Sequence, residues 1–174
     1  YPDSVMVMKF TASKAGKQNL ILSYCPNSEA KSHLKADGNN GLVYTGILNN
    51  NGMKFAFRIK AIHKGGTLKA EDDRLIVKDA DEVVFLLTAD TDYKMNFNPD
   101  FKDSKAYVGN DPEQTTQAMM KQALQKGYDE LYRNHENDYT SLFNRVRLQL
   151  NPEENSPNLP TYQRLANYKK GMPD

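Results

Sequence analysis

Apolar residues occur in short runs along the first half of the chain, with turn residues between the runs. Successive side chains of a strand point to opposite faces of a sheet, so a run that is apolar throughout indicates a strand covered on both sides. The runs at 5–10 and 83–87 have this character. The run at 54–63 is apolar on one face and carries Arg58 and Lys60 on the other, which predicts a strand with one face open to water.

Eight strands are predicted before residue 90. The clearest boundary between two of them is Asn51-Gly52, a pair that suits the tight turn of a hairpin. The run at 31–35 is predicted to form a short edge strand. Many short strands with frequent turn signals predict an antiparallel β-sandwich. The predicted strands are 5–10, 20–24, 31–35, 42–48, 54–63, 67–71, 74–78 and 82–89.

The strand pattern stops at residues 90–110, a segment rich in Asn, Asp, Lys and aromatic residues. A loop of this length usually serves a function or packs against the domain. Its aromatic residues either pack the loop onto the domain, which we favour, or line a groove. These residues are Tyr93, Phe97, Phe101 and Tyr107.

A helical pattern begins after this segment. Asp111 is suited to the N-cap, Pro112 to the first helical position and Gln114 to the third, a combination typical of helix starts. Gly127 is predicted to cap this helix or to mark a bend into a second one.

The stretch 127–150 changes its period part of the way along. Residues spaced by three and four form one helical face, which predicts a broad buried stripe. Val146, Leu148 and Leu150 then alternate with polar residues, which predicts a strand that rejoins a sheet. The members of the helical stripe are Tyr128, Leu131, Tyr132, His135, Tyr139, Leu142 and Phe143.

Composition excludes several classes of protein. A chain of 174 residues allows one domain, with an appendage at most. The 23 basic and 22 acidic residues give a net charge of +1, which argues against nucleic acid as the main partner. No run approaches the ~18 apolar residues that a membrane-spanning helix needs. Cys25 is the single cysteine, so neither an intrachain disulfide nor a cysteine metal cluster is possible.

The residues that most resemble a chemical site are His135 and Asp138, at positions i and i+3 of the predicted helix. A metal site needs further ligands, and His33 and His63 lie in unrelated segments. A structural hydrogen bond or helix packing is therefore the favoured interpretation of the pair. The sequence contains no nucleophile elbow, phosphate-binding glycine loop or HExxH motif. We therefore assign no catalytic, cofactor-binding or metal-binding residue.

The chain starts at Tyr1-Pro2-Asp3, without an initiator Met or a signal-peptide pattern. A strongly apolar strand pattern follows almost at once. We interpret the sequence as a segment of a longer protein.

Residues 135–146, HENDYTSLFNRV, resemble a recurrent segment of glycoside hydrolase family 95, the α-L-fucosidase family. The shared pattern is a His, an Asp-Tyr pair, a Leu-Phe pair and an Arg-Val pair that leads into a strand. Leu159-Pro160-Thr161 with Arg164-Leu165 is similar to a later stretch of that family, although Tyr162 stands where Asp is usual. The resemblance marks His135, Asp138, Tyr139 and Phe143 as a structural family motif.

Full members of the family have an N-terminal β-sandwich, a helical linker, an (α/α)6 catalytic barrel and a C-terminal β domain. By resemblance, residues 1–110 are part of the β-sandwich and form a partial super-sandwich. Residues 111–150 are the helical linker, which ends in a strand. Residues 151–174 would be a linker and the start of the barrel. Family members hydrolyse α-L-fucosides without a metal cofactor and are exported, whereas this chain carries no export signal.

The resemblance implies a non-catalytic fragment that braces the barrel and is inactive alone, with the loop at 90–110 beside the substrate entrance. Its implied partners are the barrel of the same protein and, through the full-length protein, an α-L-fucosylated glycan. The alternative is a stand-alone carbohydrate-binding β-sandwich module. A partial sandwich would leave the apolar strands at 5–10 and 83–87 without a partner sheet, so self-association of the fragment is expected.

Overall fold

The computed structural model describes residues 1–25, 29–148 and 159–172. Residues 1–139 and 140–174 form two compact units. The predicted strands are confirmed with small shifts at their ends, and the last of them extends to Thr91. The strands are β1 (Met6–Thr11), β2 (Gln18–Ser23), β3 (Ala30–Ala36), β4 (Gly41–Leu48), β5 (Lys54–Lys64), β6 (Thr67–Glu71), β7 (Arg74–Ala80) and β8 (Glu82–Thr91), and the helices are α1 (Pro112–Phe143) and α2 (Thr161–Lys169).

The strands of the first unit form two antiparallel sheets, as the sandwich prediction requires. One sheet has five strands in the order β1-β8-β5-β4-β3, and the other has three in the order β2-β7-β6. The edge position predicted for the strand at 31–35 is confirmed, because β3 ends the larger sheet. The main core, which includes residues of both sheets, is Leu42, Ile59, Ala61, Leu75, Val77, Ala80, Val83 and Phe85.

Strand β8 is buried on both faces. Its alternate residues Val84 and Leu86 belong to a second cluster with Met120, Ala123 and Leu131 of α1. The expectation that this strand lacks a covering layer is therefore wrong. The three-stranded sheet packs against one face of the larger sheet, and α1 packs against the other.

The face of β5 that was predicted to be wet is instead partly covered. Arg58 is 7% exposed, and its Nη1 donates to Asp37 Oδ2 at 3.1 Å. Its Nη2 lies 3.7 Å from Glu113 Oε1 at the start of α1. Lys60 Nζ lies 3.3 Å from the same Asp37 oxygen. A buried charge requires such partners, which explains how this basic face tolerates the helix.

The bend predicted at Gly127 is confirmed. Its φ of 72° and ψ of 172° are not helical, so α1 consists of two helical parts joined at this residue. This backbone conformation is essentially limited to glycine. The part after the kink contributes Leu131 to the core, and Tyr128 packs against the same cluster.

The buried stripe predicted for 127–143 is largely wrong. Leu131 is 3% exposed, but Tyr132 and Tyr139 are each 51% exposed. In the second unit, Leu142 and Phe143 are 56% and 62% exposed. A helical period identifies which residues share a face, but only a neighbouring layer buries that face.

The strand predicted at 146–150 is not formed by residues 146–148, and residues 149–150 lie outside the described ranges. Val146 and Leu148 are 82% and 80% exposed. A strand is defined by hydrogen bonds to a neighbouring strand, and no strand in the described part of the chain pairs with these residues. Among the described residues of the second unit are the end of α1, a turn and α2.

Candidate functional site

The aromatic loop, residues 92–110, is fixed at its base to β5. Lys54 N donates to Asp92 Oδ1 at 2.9 Å, and Asp92 N donates back to Lys54 O at 3.0 Å. Gly109 N donates to Asp92 O at 2.6 Å, and Lys94 N donates to Tyr107 O at 2.8 Å. The two ends of the loop are therefore held side by side as a short ladder.

The outer part of the loop is ordered by Asn and Asp side chains that bond to backbone groups nearby. Such Asx turns replace the hydrogen bonds that a strand or helix would provide. The loop thus holds its shape through local polar bonds rather than through a core of its own. The bonds are Asn98 N to Asn96 Oδ1 at 3.0 Å, Lys102 N to Asp100 Oδ1 at 3.0 Å, Lys105 N to Asp103 Oδ1 at 2.8 Å, and Asn96 Nδ2 to Ala106 O at 3.1 Å.

The four predicted loop aromatics fall into two groups. The rings of Tyr93 and Tyr107 are nearly parallel, with centroids 6.0 Å apart and an interplanar angle of 10°. Phe97 and Phe101 are 87% and 90% exposed. The two tyrosine rings contact each other, whereas the two phenylalanine rings are exposed to solvent. The choice between packing onto the domain and lining a groove stays a prediction.

A groove of about 510 Å³ lies beside β1 and is called the β1 groove below. Its apolar lining includes Val5, Val7 and Leu131. Its polar lining includes Asp3 and His135. The residues of α1 that line the groove all follow the kink at Gly127.

Asp3 is fixed at one end of the β1 groove by two residues of α1. Lys126 Nζ forms an ion pair with Asp3 Oδ1, and Asn134 Nδ2 donates to Oδ2 at 3.0 Å. The Lys126 hydrogen bond lowers the pKa of Asp3 below its ordinary value, against the opposing effect of burial. The same bond raises the pKa of Lys126. This pair joins the segment before β1 to the residue that precedes the kink.

Lys9 forms a second ion-pair cluster along the same strand. Its Nζ lies 2.8 Å from Glu82 Oε2, and Lys64 Nζ lies 3.1 Å from Oε1. The hydrogen bond to Glu82 raises the pKa of Lys9, and the bonds from Lys9 and Lys64 lower the pKa of Glu82. Lys9 Nζ also lies 4.3 Å from the centroid of the Tyr128 ring, a cation–π distance.

The family-motif residues occupy the second part of α1. His135 Nδ1 lies 3.4 Å from Tyr1 O, and the His135 and Tyr139 rings lie 6.1 Å apart at 24°. Asp138 is half-buried, and Phe143 is largely exposed. Within the described ranges, no group of three or more His, Cys, Asp and Glu side chains has the arrangement of a metal site. His135 therefore contacts a backbone oxygen and an aromatic ring.

The sequence did not reveal the residues around the β1 groove, because they are far apart along the chain. Asp3 and Lys126 are 123 positions apart, and no local pattern links them. Their pairing depends on the path of α1 across the sheet, which the sequence period does not specify. No described helix is long and apolar enough to cross a membrane.

Two family models match the chain. The model of the glycosyl hydrolase family 65 N-terminal domain matches residues 1–96, from the segment before β1 into the aromatic loop. The model of the glycosyl hydrolase family 95 catalytic domain matches residues 127–174, and this match starts at the kink. No curated protein gives a significant match.

The second match confirms the resemblance to family 95 that residues 135–146 and 159–165 carry. It starts within the stretch interpreted as a linker, and the boundaries at residues 110 and 150 stay predictions. Both matches are to families of glycoside hydrolases. The first match spans residues 1–96 of 174, which is more than half of the chain. The chain therefore belongs to the family defined by the glycosyl hydrolase family 65 N-terminal domain, and its residues 127–174 are similar to the family 95 catalytic domain.

Proposed function

We propose that this chain is a supporting part of a glycosidase that resembles the α-L-fucosidases, and that it braces the catalytic barrel without carrying out hydrolysis itself. One observation carries the proposal. The helix α1 starts on the sandwich sheet and continues past Gly127 into the residues that match the family 95 catalytic domain. The sandwich and the start of the catalytic-domain match therefore share one secondary-structure element.

The first part of α1 is well suited to a bracing role because it is firmly attached to the sheet. Met120 and Ala123 are 3% and 1% exposed and belong to one cluster with Val84 and Leu86 of β8. Thr88 Oγ1 also donates to Thr116 O at 3.0 Å inside the buried layer. This attachment of the first part of α1 to the sheet supports the proposed bracing role.

The two carboxyl groups with lowered pKa values, Asp3 and Glu82, are unsuited to act as the proton-donating acid of a glycosidase. Hydrolysis of a glycosidic bond commonly uses two carboxyl groups, and the one that acts as an acid needs a raised pKa. Asp3 and Glu82 instead have lowered pKa values because lysines donate hydrogen bonds to them. Their ion pairs stabilise the carboxylate form, which is unsuited to donating a proton.

The aromatic loop is assigned to the substrate entrance under the same proposal. Its support is the pre-ordered backbone, which holds Phe97 and Phe101 in solvent where a glycan or another domain can contact them. The fucoside substrate and export from the cytoplasm follow from the family resemblance and belong to the proposal as well.

A stand-alone carbohydrate-binding module is the competing function, since exposed aromatic rings can stack on sugars. Titration of the purified chain with fucosylated oligosaccharides separates the two. The proposal predicts no saturable binding by the chain alone. Saturable binding that Tyr93→Ala abolishes, and that Tyr162→Ala in α2 leaves unchanged, would favour the module instead.

A further inference from the structure

The chain contains two Asn-Gly pairs, Asn40-Gly41 and Asn51-Gly52, and each is preceded by a further Asn. In such a pair the backbone nitrogen of the glycine can attack the side-chain amide carbon of the asparagine, because glycine has no Cβ to obstruct the approach. The local sequence is the same at both pairs and predicts equal reactivity. The folded chain places the two pairs in different surroundings.

The pair Asn51-Gly52 lies in the turn between β4 and β5. Both residues are exposed, and a Cβ added at Gly52 would meet no described atom within 4 Å. Gly52 N donates to Leu48 O at 3.0 Å, and this bond must open before the nitrogen can attack. Exposed turns open locally at a small cost in free energy compared with the strands of a core. The attacking nitrogen is therefore accessible in the folded chain.

The turn also activates the amide group that is attacked. Met53 N donates to Asn51 Oδ1 at 3.0 Å, which holds the side chain against the turn backbone. This oxygen gains negative charge when the Gly52 nitrogen adds to the Asn51 side-chain carbon. A backbone N–H group that already points at the oxygen stabilises the charge as it develops.

The pair Asn40-Gly41 is held by the neighbouring strand β5. Asn40 Nδ2 donates to Ala61 O at 3.1 Å, and Lys60 Nζ lies 3.3 Å from Asn40 Oδ1. Gly41 is buried, and a Cβ added there would meet Ile59 O at 2.9 Å. The Lys60 contact would also stabilise charge on the oxygen. Because both ends of the amide are bonded to β5, however, the side chain is not free to turn toward the Gly41 nitrogen.

We propose that Asn51 is a site of spontaneous deamidation in the folded chain and that the fold protects Asn40. The Gly52 nitrogen loses its proton to base and forms a bond to Asn51 Cγ. The bond from Cγ to Nδ2 then breaks, and the Nδ2 group takes up a proton and leaves as ammonia. Water opens the resulting cyclic imide at either carbonyl, which leaves aspartate or isoaspartate at position 51. No group is oxidised or reduced, and the chain gains one negative charge.

The isoaspartate product changes the turn itself. Its backbone runs through the former side-chain carbon, so the chain becomes longer by one methylene group before Gly52. Met53 N then loses the side-chain acceptor that it has in the unmodified turn. Lys54 follows directly and holds the base of the aromatic loop through Asp92. The modification therefore lies beside the attachment of that loop.

Peptide mapping by mass spectrometry tests the proposal. The purified chain is incubated in alkaline buffer, both folded and in concentrated urea, with circular dichroism to verify its state. In the folded chain Asn51 should convert about tenfold or more faster than Asn40. In urea the two should convert at similar rates, because they share the same local sequence. Equal rates in the folded chain, or faster conversion of Asn40, would overturn the proposal.

The products supply a second readout. Opening of the imide gives both isoaspartate and aspartate, which chromatography of the peptides separates, whereas direct hydrolysis of the amide gives aspartate alone. Asn51→Gln should nearly abolish conversion at this turn, because the longer side chain must close a larger ring. The matched control Asn49→Gln, at an exposed residue of the same turn region, should leave conversion at Asn51 unchanged. Aspartate as the sole product at position 51 would contradict the imide route.

Discussion

The Lys126 ammonium group and the Asp3 carboxylate form an ion pair between the segment before β1 and the residue that precedes the kink of α1. Asn134, beyond the kink, donates to the other oxygen of the same carboxylate at 3.0 Å. A single acidic residue thus contacts both parts of the helix. Its ionisation links the stability of this corner of the fold to pH.

The first prediction concerns acid stability. The pKa of Asp3 is lowered in the folded chain from an ordinary value of 3.8, chiefly by the Lys126 hydrogen bond. The stabilisation is therefore fully present above that ordinary value, and it is lost as the pH falls through the lower folded value. Asp3→Asn should lower the free energy of unfolding near neutral pH. Below about pH 4, the free energy of unfolding of the variant should fall less steeply with decreasing pH than that of wild type.

Urea unfolding at a series of pH values between about 2 and 7 checks this prediction. The control is Asp73→Asn, at an exposed residue paired with the adjacent Arg74, and it should keep the wild-type acid dependence. Equal acid dependence in Asp3→Asn and wild type would show that the ion pair does not contribute.

The second prediction concerns the layer between β8 and α1. Leu86 is fully buried and belongs to the cluster with Met120 and Ala123. Leu86→Ala should lower the free energy of unfolding by about 2–5 kcal/mol, because it leaves a cavity and removes contact with the helix. Ile21→Ala, at an exposed residue of β2, should change it by about 0.5 kcal/mol or less. Similar losses for the two variants would contradict the burial of β8 beneath α1.

The third prediction concerns the kink. A Cβ at Gly127 would meet no atom within 4 Å, so crowding does not oppose an alanine there. The backbone conformation does, since φ is 72° and ψ is 172°. Gly127→Ala should therefore cost about 1–3 kcal/mol of stability through strain alone. Gln125→Ala, in the helix just before the kink, is the control and should not introduce this backbone strain. A Gly127→Ala variant that is at least as stable as wild type would argue for a straight helix.

The fourth prediction compares two Arg–Asp pairs with nearly equal distances. Arg58 lies 3.1 Å from Asp37 with 9% of its side chain exposed, and Arg74 lies 3.2 Å from Asp73 with 51% exposed. Arg58→Met should cost about 1.5–3 kcal/mol, because it removes charged hydrogen bonds from a covered layer. Arg74→Met should cost about 0–1 kcal/mol. Denaturant unfolding of both variants measures the difference, and equal costs would mean that α1 leaves Arg58 in water.

The strands could be predicted because their signals are local. Turn residues such as Asn51-Gly52 and Gly65-Gly66 fix where a strand ends, and alternation fixes its faces. The bend at Gly127 could be predicted for the same reason. The sandwich class followed from the number and length of the strands.

The features that were missed depend on contacts between distant parts of the chain. Arg58 is buried because α1 crosses the sheet at that point, and no pattern within β5 indicates it. Tyr132 and Tyr139 share a helical face with Leu131 but extend beyond the layer that buries it. The segment at 146–148 has the alternation of a strand. Whether a strand forms there depends on a partner from a distant part of the chain, which the local pattern does not specify. The family-motif residues could be identified by resemblance, whereas their contacts with the N-terminal segment could not.

The central claim is that this chain supports a glycosidase without performing its chemistry. Fucose release from an aryl α-L-fucoside by the purified, folded chain tests the claim most directly. The account predicts no release above that of the substrate alone, even at high chain concentration, while an authentic α-L-fucosidase hydrolyses the same substrate in parallel. Saturable release that rises in proportion to the concentration of the chain would contradict it.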